Sequence, residues 1–239
     1  MPVRAIFFDF GGTLVAPLRE AFPVFAEVLG ARGQALDRVA FDRAEARLGR
    51  STEAMRFLYL GQGPGFWEAY DAELLATLGI DDPGSGIARA LHEAMTSPRW
   101  HPPYAESADV LEALQRRGLD LHLVSNNSEY LPELVDRLGW TDRFRSITFS
   151  QEVGVEKPDP RIFHRALARA RCSPSDVLHV GDSWEADVVG AGSVGIPALW
   201  VDRSAGPAAH PGPRVRDLRG VLSYLDRAAE GREGAPGAH

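Results

Sequence analysis

Four short clusters along the 239-residue chain carry residue types that could act on an anion. Asp9-Phe10-Gly11-Gly12-Thr13 sets a carboxylate before two glycines, whose bare backbone lets amides approach a negative group closely. Ser125-Asn126-Asn127-Ser128 offers hydroxyl and amide donors that could hold a phosphate oxygen. Lys157 stands in Val155-Glu156-Lys157-Pro158-Asp159-Pro160, and Gly181-Asp182-Ser183-Trp184-Glu185-Ala186-Asp187 adds further carboxylates. Each cluster also has an ordinary explanation. Asp followed by Gly-Gly is common turn chemistry, Ser128 could cap a helix, and Asp or Ser at a helix start is a favourable cap. The lysine fits such an explanation least well. Of the 26 basic residues 25 are arginine, and Lys157 is the single lysine. A bias that turns replaceable lysines into arginines spares a position where a compact, strongly hydrated point charge is needed and a wide planar fork is not.

The elements that must position these clusters can be read from short apolar runs. Ala5–Phe8, Leu119–Val124, Ser146–Phe149, Val177–Val180 and Pro197–Val201 are almost free of charge and end in Asp, Ser, Asn or Gly, as buried parallel strands do. Between them, Asp109–Arg117, Leu131–Leu138 and Asp159–Arg171 carry apolar residues at helical spacing. The alternation predicts an α/β fold, a doubly wound parallel sheet, with ligands beyond the carboxyl ends of its strands. Residues 16–103 break the rhythm: Phe22, Phe25, Val28 and Leu29 share one helical face, and so do Trp67, Tyr70, Leu74 and Leu78. An all-helical unit over 16–103, inserted after the first strand, is expected, with the α/β core formed by 1–15 and 104–228. The Gly-, Ala- and Pro-rich residues 229–239 read as a disordered tail. Asp9 and Asp182 both fall at strand ends. On neighbouring strands their carboxylates would repel unless a cation lay between them, and Mg²⁺ accepts one or two carboxylates, a carbonyl, waters and a phosphate oxygen.

Taken in order and spacing, Asp9-x-Gly-Gly-Thr13, Ser125-Asn126, Lys157-Pro158 and Gly181-Asp182-Ser183-x-x-x-Asp187 resemble the four motifs of the haloacid dehalogenase (HAD) superfamily. The helical insertion looks like that family's cap of the first type, and the likeness extends over residues 3–203. Most members are Mg²⁺-dependent phosphohydrolases that work through an aspartyl-phosphate. Position by position, the resemblance implies Asp9 as nucleophile and metal ligand, Ser125 as binder of the transferring phosphoryl group, and Lys157 as its neutralising cation. It implies Asp182 as a second metal ligand and Asp187 as a residue orienting the metal's surroundings. Gly11 would supply a backbone carbonyl to the metal, and Gly11, Gly12 and Asn126 would complete the phosphate site.

The chain departs from the pattern at one place. Family phosphatases usually carry a second aspartate two residues after the nucleophile, as leaving-group acid and then water-activating base; that position is Gly11. Dehalogenases of the family also lack it, but they need no metal and would be expected to have lost Asp182. Phosphonoacetaldehyde hydrolases lack it and use a cap lysine, and residues 16–103 contain none. The expected function is therefore hydrolysis of a small phosphorylated metabolite, with proton transfer from water, substrate or a cap-side group such as Arg56, Tyr59, Glu68 or His101. A 2-haloacid dehalogenase-like hydrolase and an impaired phosphometabolite-binding protein are the alternatives. Trp67 and Tyr70 read as cap core, and His122 and His179 as packing residues within strands. A net charge of -7 argues against a nucleic-acid surface, and no apolar run is long enough to span a membrane. The single Cys172 excludes an internal disulfide and fits a cytoplasmic protein, monomer or homodimer.

Overall fold

The computed structural model describes residues 3–18, 20–49, 59–204 and 210–233. Among these, six parallel strands form one sheet in the order β3-β2-β1-β4-β5-β6. They are β1 (Ala5–Phe8), β2 (Asp120–Ser125), β3 (Ser146–Phe149), β4 (Val177–Gly181), β5 (Ala198–Val201) and β6 (Arg214–Val215). Side chains alternate across a strand, and β1 shows it directly. Ile6 and Phe8 join a core with Leu111, Leu114, Leu121 and Leu123. Ala5 and Phe7 face the other way, onto Ile162, Phe163 and Ala166. Both layers are buried, which is why these strands are apolar at nearly every position.

In chain order the helices are α1 (Phe22–Gly30), α2 (Arg38–Arg47), α3 (Phe66–Thr77), α4 (Gly86–Met95), α5 (Ser107–Arg116), α6 (Leu131–Arg137), α7 (Ser150–Val153), α8 (Pro160–Ala170), α9 (Gly190–Ser193) and α10 (Arg219–Glu233). A π-helical turn, Trp184–Val189, precedes α9. Helices α1 to α4 pack on one another around Val24, Phe25, Leu29, Phe41, Leu74 and Leu91, a cluster separate from the two sheet cores. The chain enters and leaves this layer at one point. Ala16 donates its N–H to the Pro102 carbonyl at 2.9 Å, and Val15 bridges Pro103.

Register sets the positions of the chemical groups. Phe8 lies opposite Leu123 on one side and Val180 on the other, so Asp9, Ser125 and Asp182 all emerge at one end of three adjacent strands. Two details differ from the sequence reading. The run Arg214–Val215 adds a sixth strand, too short to show a pattern. The last helix extends through Glu233, into the stretch 229–239 that the sequence reads as tail; Ala228, Ala229 and Glu230 are strong helix formers. Residues 234–239 and Arg56 lie outside the described residues.

Truncating a side chain that links the sheet to its helices should be costly. Leu199→Ala, at a fully buried β5 position, is expected to lower stability by about 2–5 kcal/mol in urea unfolding. Val39→Ala, at a position 54% exposed, should stay within about 0.5 kcal/mol of the parent. Equal losses at the two positions would contradict this assignment of the core.

Candidate active site

At the carboxyl ends of β1, β2 and β4 the four clusters converge. The Lys157 ammonium is almost fully buried and donates to Asp9 Oδ1 at 2.7 Å and to Asp187 Oδ1 at 2.6 Å. Burial alone would discharge it, but Asp187 and Asp9 outweigh that penalty and hold its pKa above the ordinary lysine range. The Ser125 hydroxyl donates to the same Asp9 Oδ1 at 3.1 Å, and Thr13 Oγ1 lies 3.4 Å from Asp9 Oδ2. Thr13 also donates to Asp182 Oδ1 at 3.2 Å, joining the two strand-end carboxylates.

Asp187 is held back into the site by the π-helical turn. Ser183 accepts from the Ala186 N–H at 3.2 Å, and the Ser183 N–H donates to Asp187 Oδ2 at 2.9 Å. The other oxygen, Oδ1, takes both Lys157 and His179 Nε2, the latter at 2.9 Å. Although burial opposes it, Lys157 and His179 hold Asp187 well below the usual carboxylate range. Asp182 is shifted in the opposite sense. Burial, then repulsion from Asp9 and Asp187, push it up to about 7.

Two glycines are required by this packing. A Cβ on Gly12, at φ +87°, would lie 2.3 Å from Asp182 Oδ2, and one on Gly181 would lie 2.2 Å from the Asp187 carboxyl carbon. Gly11 is different. A Cβ there would meet Pro17 at 3.7 Å, an ordinary contact, so the backbone does not exclude a side chain from this position.

Asn126 lines the cavity described below but commits its side chain elsewhere. Its side-chain amide donates to the Lys157 carbonyl at 3.0 Å and accepts from the Lys157 N–H at 2.7 Å. The side chain therefore ties two loops together. His179 was expected only to pack, yet it bonds Asp187; its place inside an apolar strand hid this contact. His122 does pack, edge-on to Phe7, with Nδ1 at 2.8 Å from Ser146 Oγ. Sequence reasoning also missed Arg203. It donates to the Gly12 and Thr13 carbonyls at 3.3 and 2.8 Å, is held by Glu106 at 2.8 Å, and lies 3.5 Å over the Tyr104 ring. A lone arginine after a strand carried no signal among 25.

A cavity of about 510 Å³ opens over Asp9, Gly11, Ser125, Lys157, Asp182 and Asp187 and reaches Leu18 and His101. A second, largely apolar cavity of about 150 Å³ adjoins it and shares Leu18, His101 and Asn127. Trp67, Met95, Tyr130, Leu131 and Leu134 line this second space together with the buried Asp71 and with Ser128, so Trp67 does more than fill the helical core. Of the other cap-side candidates, Tyr59 turns its hydroxyl to Ser150 and Glu156, and Glu68 is exposed and lines neither cavity. The helical layer is tied to the core nearby, where Glu129 accepts from the Gly65 and Trp67 N–H groups at the start of α3, at 2.7 and 3.3 Å.

Asp9, Asp182 and Asp187 can each present an oxygen within 4.8 Å of the others. Three carboxylates with one ammonium leave surplus negative charge, which adds to burial in raising Asp182. Hard oxygen donors in excess negative charge suit Mg²⁺. Since Asp187 already serves Lys157, His179 and the Ser183 amide, Asp9 and Asp182 are the better placed for direct ligation.

Similar proteins are found among both phosphatases and dehalogenases. A phosphoserine phosphatase of Thermus thermophilus is 40% identical over 140 residues, 56% of this chain and 56% of that protein, so the match spans little more than half of that relative. The haloacid dehalogenase-like hydrolase domain-containing protein 3 of Mus musculus is 28% identical over 247 residues, 96% of this chain and 97% of that one. The crystal structure of a 2-haloacid dehalogenase from Pseudomonas syringae shares the fold with a TM-score of 0.70 at 21% identity, covering 95% of this chain and 99% of that one. The sequence profile of the haloacid dehalogenase-like hydrolases matches residues 3–195, which include Asp9, Ser125, Lys157, Asp182 and Asp187, and the chain belongs to that family of hydrolases.

Proposed function

We propose that the protein is a Mg²⁺-dependent phosphohydrolase that cleaves a small phosphomonoester through an aspartyl-phosphate on Asp9. The observation that carries this reading is the buried contact of Asp9 with Lys157 and Ser125, with the Asp182 carboxylate joined to Asp9 through Thr13. A carboxylate can attack an anionic phosphoryl group only where cations offset the repulsion. A dehalogenase has no comparable need for a second carboxylate at Asp182, and phosphatases among the relatives point the same way.

Lys157 and Ser125 hold Asp9 Oδ1 in place and are positioned to donate to the phosphoryl oxygens. As Asp9 attacks phosphorus, the bond to the ester oxygen breaks and that oxygen leaves with the electron pair, taking a proton from water. Water then attacks phosphorus, and the pair in the P–O bond returns to the Asp9 carboxylate. Mg²⁺, held by Asp9, Asp182 and a Gly11 carbonyl, would supply positive charge to the phosphoryl oxygens. The Gly11 backbone and the Asn126 N–H would line the phosphate well; Gly12, expected there too, is turned away, its N–H donating to the Val15 carbonyl at 2.7 Å and its own carbonyl accepting from Arg203. The largely apolar cavity beside it, with Asp71 and Ser128 among its walls, suits a compact organic group, since about 150 Å³ is a small volume for a ligand.

Asp9→Asn is expected to abolish phosphate release from p-nitrophenyl phosphate. Chelation should do the same to the parent protein, with recovery on adding Mg²⁺. Mg²⁺ should also raise the parent's Tm, and Asp182→Asn should lose most of that rise, since only a cation bound to the folded state stabilises it. Turnover that persists in chelator would refute the metal dependence.

Gly11→Asp tests the vacant position. The space beside Gly11 admits a Cβ, so the variant should fold and hydrolyse alkyl phosphates about 10²–10⁴-fold faster, the usual contribution of a positioned acid/base. Unchanged rates on alkyl phosphates, with the Tm preserved, would show that proton transfer is already supplied there or is not limiting.

A further inference from the structure

We propose that His101 is the water-activating base of the second half-reaction, taking over from outside the first motif the role for which Gly11 has no side chain. The inference rests on the aspartyl-phosphate reading above.

Among the described residues lining the 510 Å³ cavity, the ionisable side chains are Asp9, Lys157, Asp182, Asp187 and His101. The first four are already committed to one another or to the expected cation. His101 remains, and its position is distinctive. It lines both the phosphate well and the apolar cavity, so it stands where the organic group of a bound ester meets its phosphate. In two successive displacements at one phosphorus, with Asp9 on one side throughout, the departing ester oxygen and the incoming water use the same opposite side. A group at the junction of the two cavities is thus placed for that water.

The ring is also prepared for the task. His101 Nε2 lies 3.1 Å from the Met95 carbonyl, which can only accept, so Nε2 carries the hydrogen and Nδ1 of the neutral ring carries the lone pair. Burial holds the imidazole below its ordinary pKa, favouring that neutral form at neutral pH. The next residues fix the backbone, because Pro102 and Pro103 are bonded and bridged to Ala16 and Val15, a few residues beyond Gly11. In the step itself the water oxygen bonds to phosphorus and the P–O bond to Asp9 breaks with its electron pair going to the carboxylate. The water's proton passes to Nδ1 and from there to solvent.

His101→Gln keeps an N–H donor for Met95 and removes the base. With p-nitrophenyl phosphate and Mg²⁺ in stopped flow, this variant should release a stoichiometric burst of p-nitrophenolate. It should then turn over about 10²–10⁴-fold more slowly than the parent, with phosphorylated protein accumulating in the mass spectrum. Adding Gly11→Asp to the variant should restore the steady-state rate, which repair of a merely structural defect would not. His101→Asn serves the same test should the glutamine variant fail to fold. Parent-like turnover, or a slower rate without a burst, overturns the role of His101. A parent protein that releases phosphate without ever carrying it on Asp9 overturns the underlying reading instead, so the two failures are told apart.

Discussion

The rest of the site depends on one buried ammonium. Lys157 is bonded to Asp9 and Asp187 in a region that water barely reaches, and removing one partner of such a pair typically costs about 3–5 kcal/mol because the other charge is left uncompensated. The contact requires β1 and β4 to be neighbours, the loop before α8 to fold over them, and the π-helical turn to bring Asp187 back beneath the lysine. A compact ammonium can satisfy two carboxylates at 2.6 and 2.7 Å in this space, where a planar guanidinium would need more room. That accounts for one lysine among 26 basic residues.

The same constraint sorts the glycines and explains an asymmetry. Gly12 and Gly181 are fixed by the Asp182 and Asp187 carboxylates that crowd them, so any side chain there would displace a charged group. Gly11 faces no such crowding, and the absence of a carboxylate there is not a demand of the backbone. The loop that carries it is instead braced from outside by Arg203, which holds two of its carbonyls and is itself fixed by Glu106 and Tyr104. The chain therefore keeps Asp9 firmly positioned while carrying no side chain two residues further on.

Much of the frame was legible in the sequence for a physical reason. Parallel strands buried on both faces are apolar runs, so Ala5–Phe8 and Val177–Val180 stand out, and the polar residues that end them mark the site. Arg214–Val215 was not legible because two residues carry no period. The extent of α10 was not legible either, because Gly and Pro near the terminus outweigh its helix-forming alanines and glutamates. Contacts between distant residues were hidden too. Nothing local says that His179 bonds Asp187 or that the Asn126 amide clasps the Lys157 backbone, since both follow from tertiary packing. His101 could be named as a candidate, but its place at the junction of two cavities is set by Pro102 and Pro103 pairing with residues far back in the chain.

The central claim is that Asp9 itself becomes phosphorylated. Acid quench during turnover, followed by borohydride reduction and peptide mass spectrometry, reads this directly, because an acyl phosphate is reduced to an alcohol while a free carboxylate is not. The account predicts conversion of the position 9 side chain to homoserine only when Mg²⁺ and substrate are both present. An unmodified Asp9 under turnover, or reduction at a different carboxylate, would contradict it.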